Sequence, residues 1–327
     1  MAVGNVVLVL ADDHDLHADA VVLALGSLGC QVFRIDPRLC QFPDELVVDC
    51  LLESSHSVLQ LKHGKRTLRS EQIKSVFCRS WDFGEPPPPG EELSSLVAFQ
   101  ERVAALKSFF LLIPEEKWVN HPYKEDALGL KLNQAVAAKG QGFLVPDLYL
   151  GNSAERVRGF TRESDAGTVI KQISDCSFAT GNETTEVFHG FFTEVFELSN
   201  DDALGPSLEL APIFLQRQIH PKTDLRVTVV GETVFAATLS LGPTDRGVVD
   251  IRKSLGQIDR RYPVNRRLAG RLCGMMRMWG LKFCAFDFLI SPDEELWFLE
   301  ANPNGNWAWM PSVEREITKE VATLLAR

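Results

Sequence analysis

Short apolar runs, separated by polar loops, set the outline of the chain. Residues 6–10 form a β-branched run typical of a buried strand, residues 18–28 are helical by composition, and Gly29 follows as a stop. Residues 31–35 read as a second strand. This strand–helix–strand opening predicts a βαβ unit with a parallel sheet. Residues 47–52, 58–61 and 76–78 read as further strands, and the prolines 86–89 as an extended loop. Residues 91–112 space Leu93, Leu96, Val97, Val103, Leu106 and Phe110 as a helix does, and Pro114 ends it. Residues 127–139 predict another helix, capped by Gly140 and Gly142. Residues 168–173 predict a strand that carries Lys171. Residues 214–219 and 225–230 are strands by pattern, and Gly231-Glu232 is a hairpin turn that returns through residues 234–239. A helix over 266–279 stops at Gly280, and a last one spans 313–325. Residues 174–211 show no clear period: within them, 182–200 alternates Thr, Glu and Phe and fits strand or helix.

The most informative pattern is a pair of apolar runs, residues 284–290 and 296–301, around a polar turn containing Pro292. That is a β-hairpin signal. With the turn at Pro292 to Glu295, Asp287 falls opposite Glu300, and opposed Cβ atoms lie roughly 5 Å apart. Two carboxylates that close repel unless one is protonated or a cation sits between them. Asn302, two residues beyond Glu300, faces the same side. Two carboxylates and an amide oxygen suit a hard cation such as Mg²⁺ shared with phosphates. A solvated outer face without a ligand is the competing reading.

Other residues fit an anionic ligand. Lys131 is on a helix and Lys171 is inside an apolar strand, where an amine needs an anionic partner or a route to water. Asp224 and Arg226 share a strand face. Arg226 could clamp a phosphate bidentately, and Asp224 could orient it or accept a proton, unless the two are a surface ion pair. Asp250-Ile251-Arg252 repeats the pattern more weakly. Gln216 precedes this strand, where backbone groups could meet an adenine edge. Trp307 and Trp309 read as packing or rim residues. His14, His17 and His56 have no metal-ligand spacing and read as surface residues.

Composition narrows the class. The chain has 327 residues, enough for two domains or three small ones, and its 45% hydrophobic and 24% charged residues are an ordinary globular balance. A net charge of −10 argues against non-specific nucleic-acid or anionic-membrane binding. The seven cysteines are scattered without a CxxC pair, as expected for reduced thiols in a cytoplasmic protein. The start lacks a basic region and reads as a first strand, not a signal peptide, and no apolar run spans a bilayer. There is no GxGxxG after the first strand, no GxSxG and no phosphate loop with its lysine.

In this order the residues resemble the ATP-grasp superfamily and, more narrowly, the graspetide synthetases that macrocyclise microviridin-type peptides. The matching pieces are Lys131-Leu132-Asn133-Gln134 ahead of Gly142-Phe143-Leu144-Val145-Pro146, then Val169-Ile170-Lys171, Gln216, and Asp224-Leu225-Arg226-Val227. Phe286-Asp287-Phe288 and the segment Phe298-Leu299-Glu300-Ala301-Asn302-Pro303-Asn304-Gly305 close the series. Arg79 and Asn120-His121-Pro122 also sit where that family has an arginine and an Asn-Pro segment. The chain departs from the family in having Ile251 where Asp-Trp-Arg is frequent, and Gln172 where a proline is common.

The resemblance implies an α/β and α+β protein: an N-terminal pre-ATP-grasp α/β domain (1–118), a central ATP-grasp lobe (119–212) with a possible peptide-binding segment at 174–211, and a C-terminal lobe (213–327) with a metal-binding hairpin. It implies ATP held by Lys131, Lys171, Gln216 and Arg226, with Mg²⁺ on Asp287, Glu300 and Asn302 and catalytic roles for Arg226 and Asp224. The implied partner is a ribosomal precursor peptide whose Asp or Glu side chains become acyl phosphates and close ω-ester or ω-amide rings with Ser, Thr or Lys. A ligase of free amino acids, a non-catalytic nucleotide- or peptide-binding protein, and a homodimeric assembly stay open.

Overall fold

The computed structural model describes residues 4–54, 57–88, 90–162, 167–173, 177–182, 185–190, 193–198, 206, 208–219, 222–240 and 258–327, with 177–182, 185–190 and 258 described by backbone alone. Asp250-Ile251-Arg252, His56 and parts of the 174–211 segment lie outside the described residues.

The chain opens as the apolar pattern predicts. Strand β1 (Val6–Leu10) is followed by helix α1 (Leu16–Ser27) and β2 (Gln31–Ile35), which pairs with β1 in parallel. Asp15 starts α1 by accepting a hydrogen bond from the Ala18 amide at 2.7 Å. Strands β3 (Leu46–Leu52), β4 (Ser57–His63) and β5 (Arg66–Arg69) make a separate antiparallel sheet. The apolar pattern missed β5, because Leu68 is its single buried side chain. Strand β6 (Ile73–Cys78) returns beside β1, helix α2 (Leu93–Leu111) crosses over, and the short β7 (Trp118–Val119) completes the sheet order β2-β1-β6-β7.

The helix expected over 127–139 is two helices, α3 (Pro122–Leu128) and α4 (Lys131–Gly140). Gly129 caps the first, and Leu130 turns extended before the second. Strand β8 (Leu148–Gly151), helix α5 (Ala154–Arg162) and β9 (Thr168–Lys171) follow. Next come a hairpin of β10 (Ser177–Asn182) and β11 (Thr185–Gly190), then β12 (Glu194–Val195) and β13 (Ile213–Arg217). The central sheet runs β12-β9-β13-β8, and α5 covers one face through Val157 against Leu215, Ile170 and Tyr149.

Strands β14 (Thr223–Val230) and β15 (Thr233–Ser240) form the expected hairpin, with Gly231 at φ +59° in its two-residue turn. After β16 (Ile258–Arg261), Asn265 caps helix α6 (Arg266–Trp279) through the Leu268 amide, and Gly280 ends it in the left-handed conformation. Strands β17 (Phe283–Ile290) and β18 (Leu296–Asn302) give the sheet order β16-β15-β14-β17-β18, and helix α7 (Glu314–Ala326) closes the chain.

Alternation divides the C-terminal sheet. Leu225, Val227, Val229, Phe286 and Phe288 pack under α6. On the other face Val230, Phe235, Ala237 and Phe283 join a core shared with β1, α1 and α7. Farther along that same face stand Asp224, Arg226 and Asp287. No helix among the described residues is long and apolar enough to cross a membrane.

Candidate functional site

Three neighbouring strands bring the charged residues together. Asp287 on β17 faces Glu300 on β18 and Arg226 on β14. The Asp287–Glu300 pairing follows the sequence expectation, but its cause is different. The turn spans residues 291–295, closed by Ser291 N–H donating to the Glu295 carbonyl at 3.0 Å. Its centre lies half a residue short of the midpoint of that pair, so the return strand needs one extra residue. A bulge after Phe298, which pairs with Phe288, adds Leu299 and restores the match. A regular ladder would set Leu299 opposite Asp287 and turn Glu300 to the face under α6.

Arg226 Nη1 donates to both Asp287 oxygens, at 2.8 and 2.7 Å, and its Nη2 donates to the Asn306 carbonyl at 3.3 Å. Its buried Nε has no hydrogen-bond partner. The Trp309 ring lies 5.9 Å from the guanidinium carbon, at the rim of the site, whereas Trp307 is fully buried as a packing residue. Lys131 Nζ approaches Glu300 Oε2 at 3.7 Å. These two cations answer the repulsion expected between the carboxylates, so repulsion alone does not demand a metal. Lys131 occupies the first position of α4, where the helix dipole disfavours a cation. A lysine at that position has a physical reason when its amine faces anions. Asp224 is held by Lys222, whose Nζ donates at 2.7 and 2.6 Å, so Asp287 rather than Asp224 orients Arg226.

Asn302 donates its amide to Asp287 at 3.0 Å, and a half-turn of that amide presents its oxygen instead. Asp287, Glu300 and Asn302 then offer oxygen donors on one face, a set that hard cations accept. Among the described residues no three His, Cys, Asp or Glu side chains converge as a metal site. A cation here therefore needs the amide and oxygens from a second molecule, as Mg²⁺ on phosphates has. Gly305 approaches closely: a Cβ there would stand 2.5 Å from the Ala285 Cβ and 2.9 Å from Arg226 Nη2.

Lys171 and Gln216 lie on the central sheet. Lys171 pairs with Phe214 and Gln216 with Val169, which sets both on the face opposite α5. Gln216 is buried and Lys171 half-buried.

Residues outside the expected set hold this frame. Gln134 donates to the Leu128 and Ala301 carbonyls, the latter at 2.9 Å, and accepts from the Ala301 amide at 2.8 Å, fixing α4 to β18. Asn120 donates to the carbonyls of Phe283 and Pro303 at 2.8 and 2.9 Å and accepts from the amides of Lys282 and Phe283. Beside it, burial pushes the Glu125 carboxyl up to about 8, against a hydrogen bond with Asn120 and the Arg79 charge, and Glu125 Oε1 has no partner. His17 is not a surface residue. Its side chain is 12% exposed, and Nε2 accepts from the amides of Trp307 at 3.0 Å and Ala308 at 3.1 Å. Gln134 and Asn120 stand in the segments that carry the resemblance, without a role there, whereas His17 meets Trp307 and Ala308 far along the chain and leaves no local signal.

No protein-family model matches the chain, and no curated protein matches it. Solved structures do. Macrocyclase MdnC from Microcystis aeruginosa MRC, determined with its precursor peptide MdnA, is 26% identical, with a TM-score of 0.81 over 98% of each chain. A RiPP-associated ATP-grasp ligase from Chryseobacterium gregarium, determined with ADP and a leader and core peptide, is 21% identical with a TM-score of 0.81, over 98% of this chain and 96% of that one. ATP-grasp ligase PsnB, determined with Mg, ADP and a phosphomimetic variant of a minimal precursor, is 21% identical with a TM-score of 0.72, over 99% of this chain and 98% of that one. The chain has the ATP-grasp fold, in the arrangement these peptide ligases share.

Proposed function

We propose that the chain is an ADP-forming ATP-grasp ligase of the graspetide type, which closes ester or amide rings between side chains of a ribosomal precursor peptide. The observation that carries this reading is the likeness to MdnC over 98% of both chains at 26% identity. The facing Arg226, Asp287, Glu300 and Lys131 side chains are the chemistry such a ligase uses. Residues 1–118 are assigned as the N-terminal domain, 119–212 as the central lobe with a peptide-binding segment in 174–211, and 213–327 as the C-terminal lobe, whose first strand, β13, pairs into the central sheet. The cytoplasm, where a precursor and ATP meet, is the assigned compartment.

Lys131 and Lys171, both in the central lobe, neutralise the nucleotide phosphates, and Gln216 lies against the nucleotide. Asp287, Glu300 and Asn302 would hold Mg²⁺, which would neutralise charge at the phosphates. A peptide carboxylate oxygen attacks the γ-phosphorus and the bond to ADP breaks, leaving an acyl phosphate. Arg226, oriented by Asp287, stabilises the charge on the transferring group. A hydroxyl or amine of the same peptide then attacks the acyl carbon, phosphate leaves, and Asp224 accepts the nucleophile's proton. Each ring consumes one ATP and removes one water from the peptide.

The test incubates the full chain with ATP, Mg²⁺ and a Thr/Glu-rich candidate precursor encoded beside its gene. Loss of whole water masses with matching ADP is expected. An unchanged authentic precursor, with ADP formed only when free amino acids are supplied, would overturn the macrocyclase reading in favour of an amino-acid ligase.

A further inference from the structure

Arg79 immediately follows β6 in the N-terminal domain, and its backbone is tied to β1 by a 2.8 Å hydrogen bond to the Leu10 carbonyl. Its side chain is 6% exposed and reaches across to the segment after β18. Nη1 donates to the Asn304 carbonyl at 2.9 Å and also to its side-chain oxygen, and Nη2 donates to Asn306 Oδ1 at 2.8 Å. Asn304 returns its amide to the Arg79 carbonyl at 2.8 Å. Nε donates to Asp15 at 3.0 Å, and Asp15 is anchored as the cap of α1. Burial works against the Asp15 charge, but the hydrogen bond with His17 and the Arg79 charge outweigh it, so its carboxyl stays well below the usual carboxylate range.

The segment that Arg79 grips is the one that serves the site. Asn302 precedes it, and the Asn306 carbonyl receives Arg226 Nη2. We propose that Arg79 is a positioning residue through which the N-terminal domain sets Asn302 and Arg226 for a metal-bound nucleotide. The inference rests on the nucleotide- and Mg²⁺-binding reading above. A lysine cannot replace the fork, because a single ammonium on a flexible stem does not span Asp15, Asn304 and Asn306 together.

The test measures ADP binding to the full chain by calorimetry, with excess Mg²⁺ and again with EDTA, in wild type, Arg79→Lys, Asn304→Ala and the double variant. Groups that orient metal ligands typically contribute about 10–100-fold in metal affinity. In Arg79→Lys the gain in ADP affinity conferred by Mg²⁺ falls at least about tenfold, while metal-free affinity is unchanged. Asn304→Ala reproduces that loss, and the double variant adds nothing to it. Retention of the full Mg²⁺ gain in Arg79→Lys, an equal loss with and without Mg²⁺, or additive losses would each overturn the proposal. If Arg79→Lys does not fold, Asn304→Ala carries the same test alone. A wild type that binds no ADP overturns the nucleotide reading before any variant is made.

Discussion

Arg226 and Asp287 stand directly opposite each other on β14 and β17, with Arg226 Nη1 2.8 and 2.7 Å from the two carboxylate oxygens. With Nη2 on the Asn306 carbonyl at 3.3 Å, the contact orients the guanidinium on the sheet face that carries Glu300 and Asn302. In Arg226→Lys the charge survives, but one ammonium does not hold Asp287 and the Asn306 carbonyl together. Ring-forming turnover should drop about 100-fold, in line with losing one preorganised transition-state donor. Steady-state kinetics on the precursor checks this, with the loss in kcat rather than KM.

Glu300→Gln keeps shape and removes one negative charge from the oxygen set. Turnover is expected to be abolished while the thermal midpoint stays within a few degrees of wild type. Calorimetric titration with Mg²⁺ and ADP, alongside a melting curve, reads both. Wild-type rates in this variant would remove Glu300 from the metal set.

Gly305→Ala puts a methyl group where the Ala285 Cβ and Arg226 Nη2 already lie, at 2.5 and 2.9 Å. Overpacking of this kind destabilises by roughly 1–3 kcal/mol. Because one of the crowded atoms belongs to Arg226, activity should fall at least about tenfold, since small displacements of a positioned group are costly in rate. Denaturant melts paired with turnover assays separate the two effects.

Gln134→Leu removes three hydrogen bonds at once and leaves the Ala301 amide and carbonyl buried without that partner. Each unsatisfied buried group costs about 1–3 kcal/mol. The variant should lose several kcal/mol in urea unfolding and, because α4 carries Lys131, bind ADP more weakly.

Glu125→Gln tests the buried carboxyl. In the folded chain it stays protonated up to about 8, against the usual 4.5 of an unfolded glutamate. Between those values the unfolded state releases a proton that the folded state keeps, so wild-type stability falls as pH rises, by at most about 1.4 kcal/mol per pH unit. Glutamine has no such proton. The midpoint of Glu125→Gln relative to wild type should therefore rise from pH 5 to pH 8, and a pH-independent difference would contradict the burial account.

Periodic elements were legible in the sequence: β1, α1, β2, α2, the β14–β15 hairpin and α6 all carry their own apolar spacing and stops. The separation of α3 from α4 was not, since Gly129 and Leu130 break the helix without a proline or a polar cluster. Asp287 and Glu300 were correctly paired by a symmetric turn, although the real turn is offset and the bulge at Leu299 supplies the missing residue. Arg226 meets Asp287 and Lys131 meets Glu300 on one face, with Asp224 engaged by Lys222 instead of Arg226. His17 was illegible because its partner, the Trp307 amide, is chosen by tertiary packing, and Glu125 because its shift comes mainly from burial.

Val7 and Val9 of β1 lie in the same core as Ile317, Val321 and Leu325 of α7. Helix α1 covers part of that face as soon as it is made, but the part that α7 covers stays open until synthesis reaches residue 314. Such surface is aggregation-prone during translation. The site is completed late for the same reason, since Asn302 through Asn306 reach Arg79 only after most of the polypeptide has left the ribosome. A ribosome that stalls before Glu314 thus leaves part of an apolar face open, and one that stalls before Asn302 leaves no assembled site at which to spend ATP.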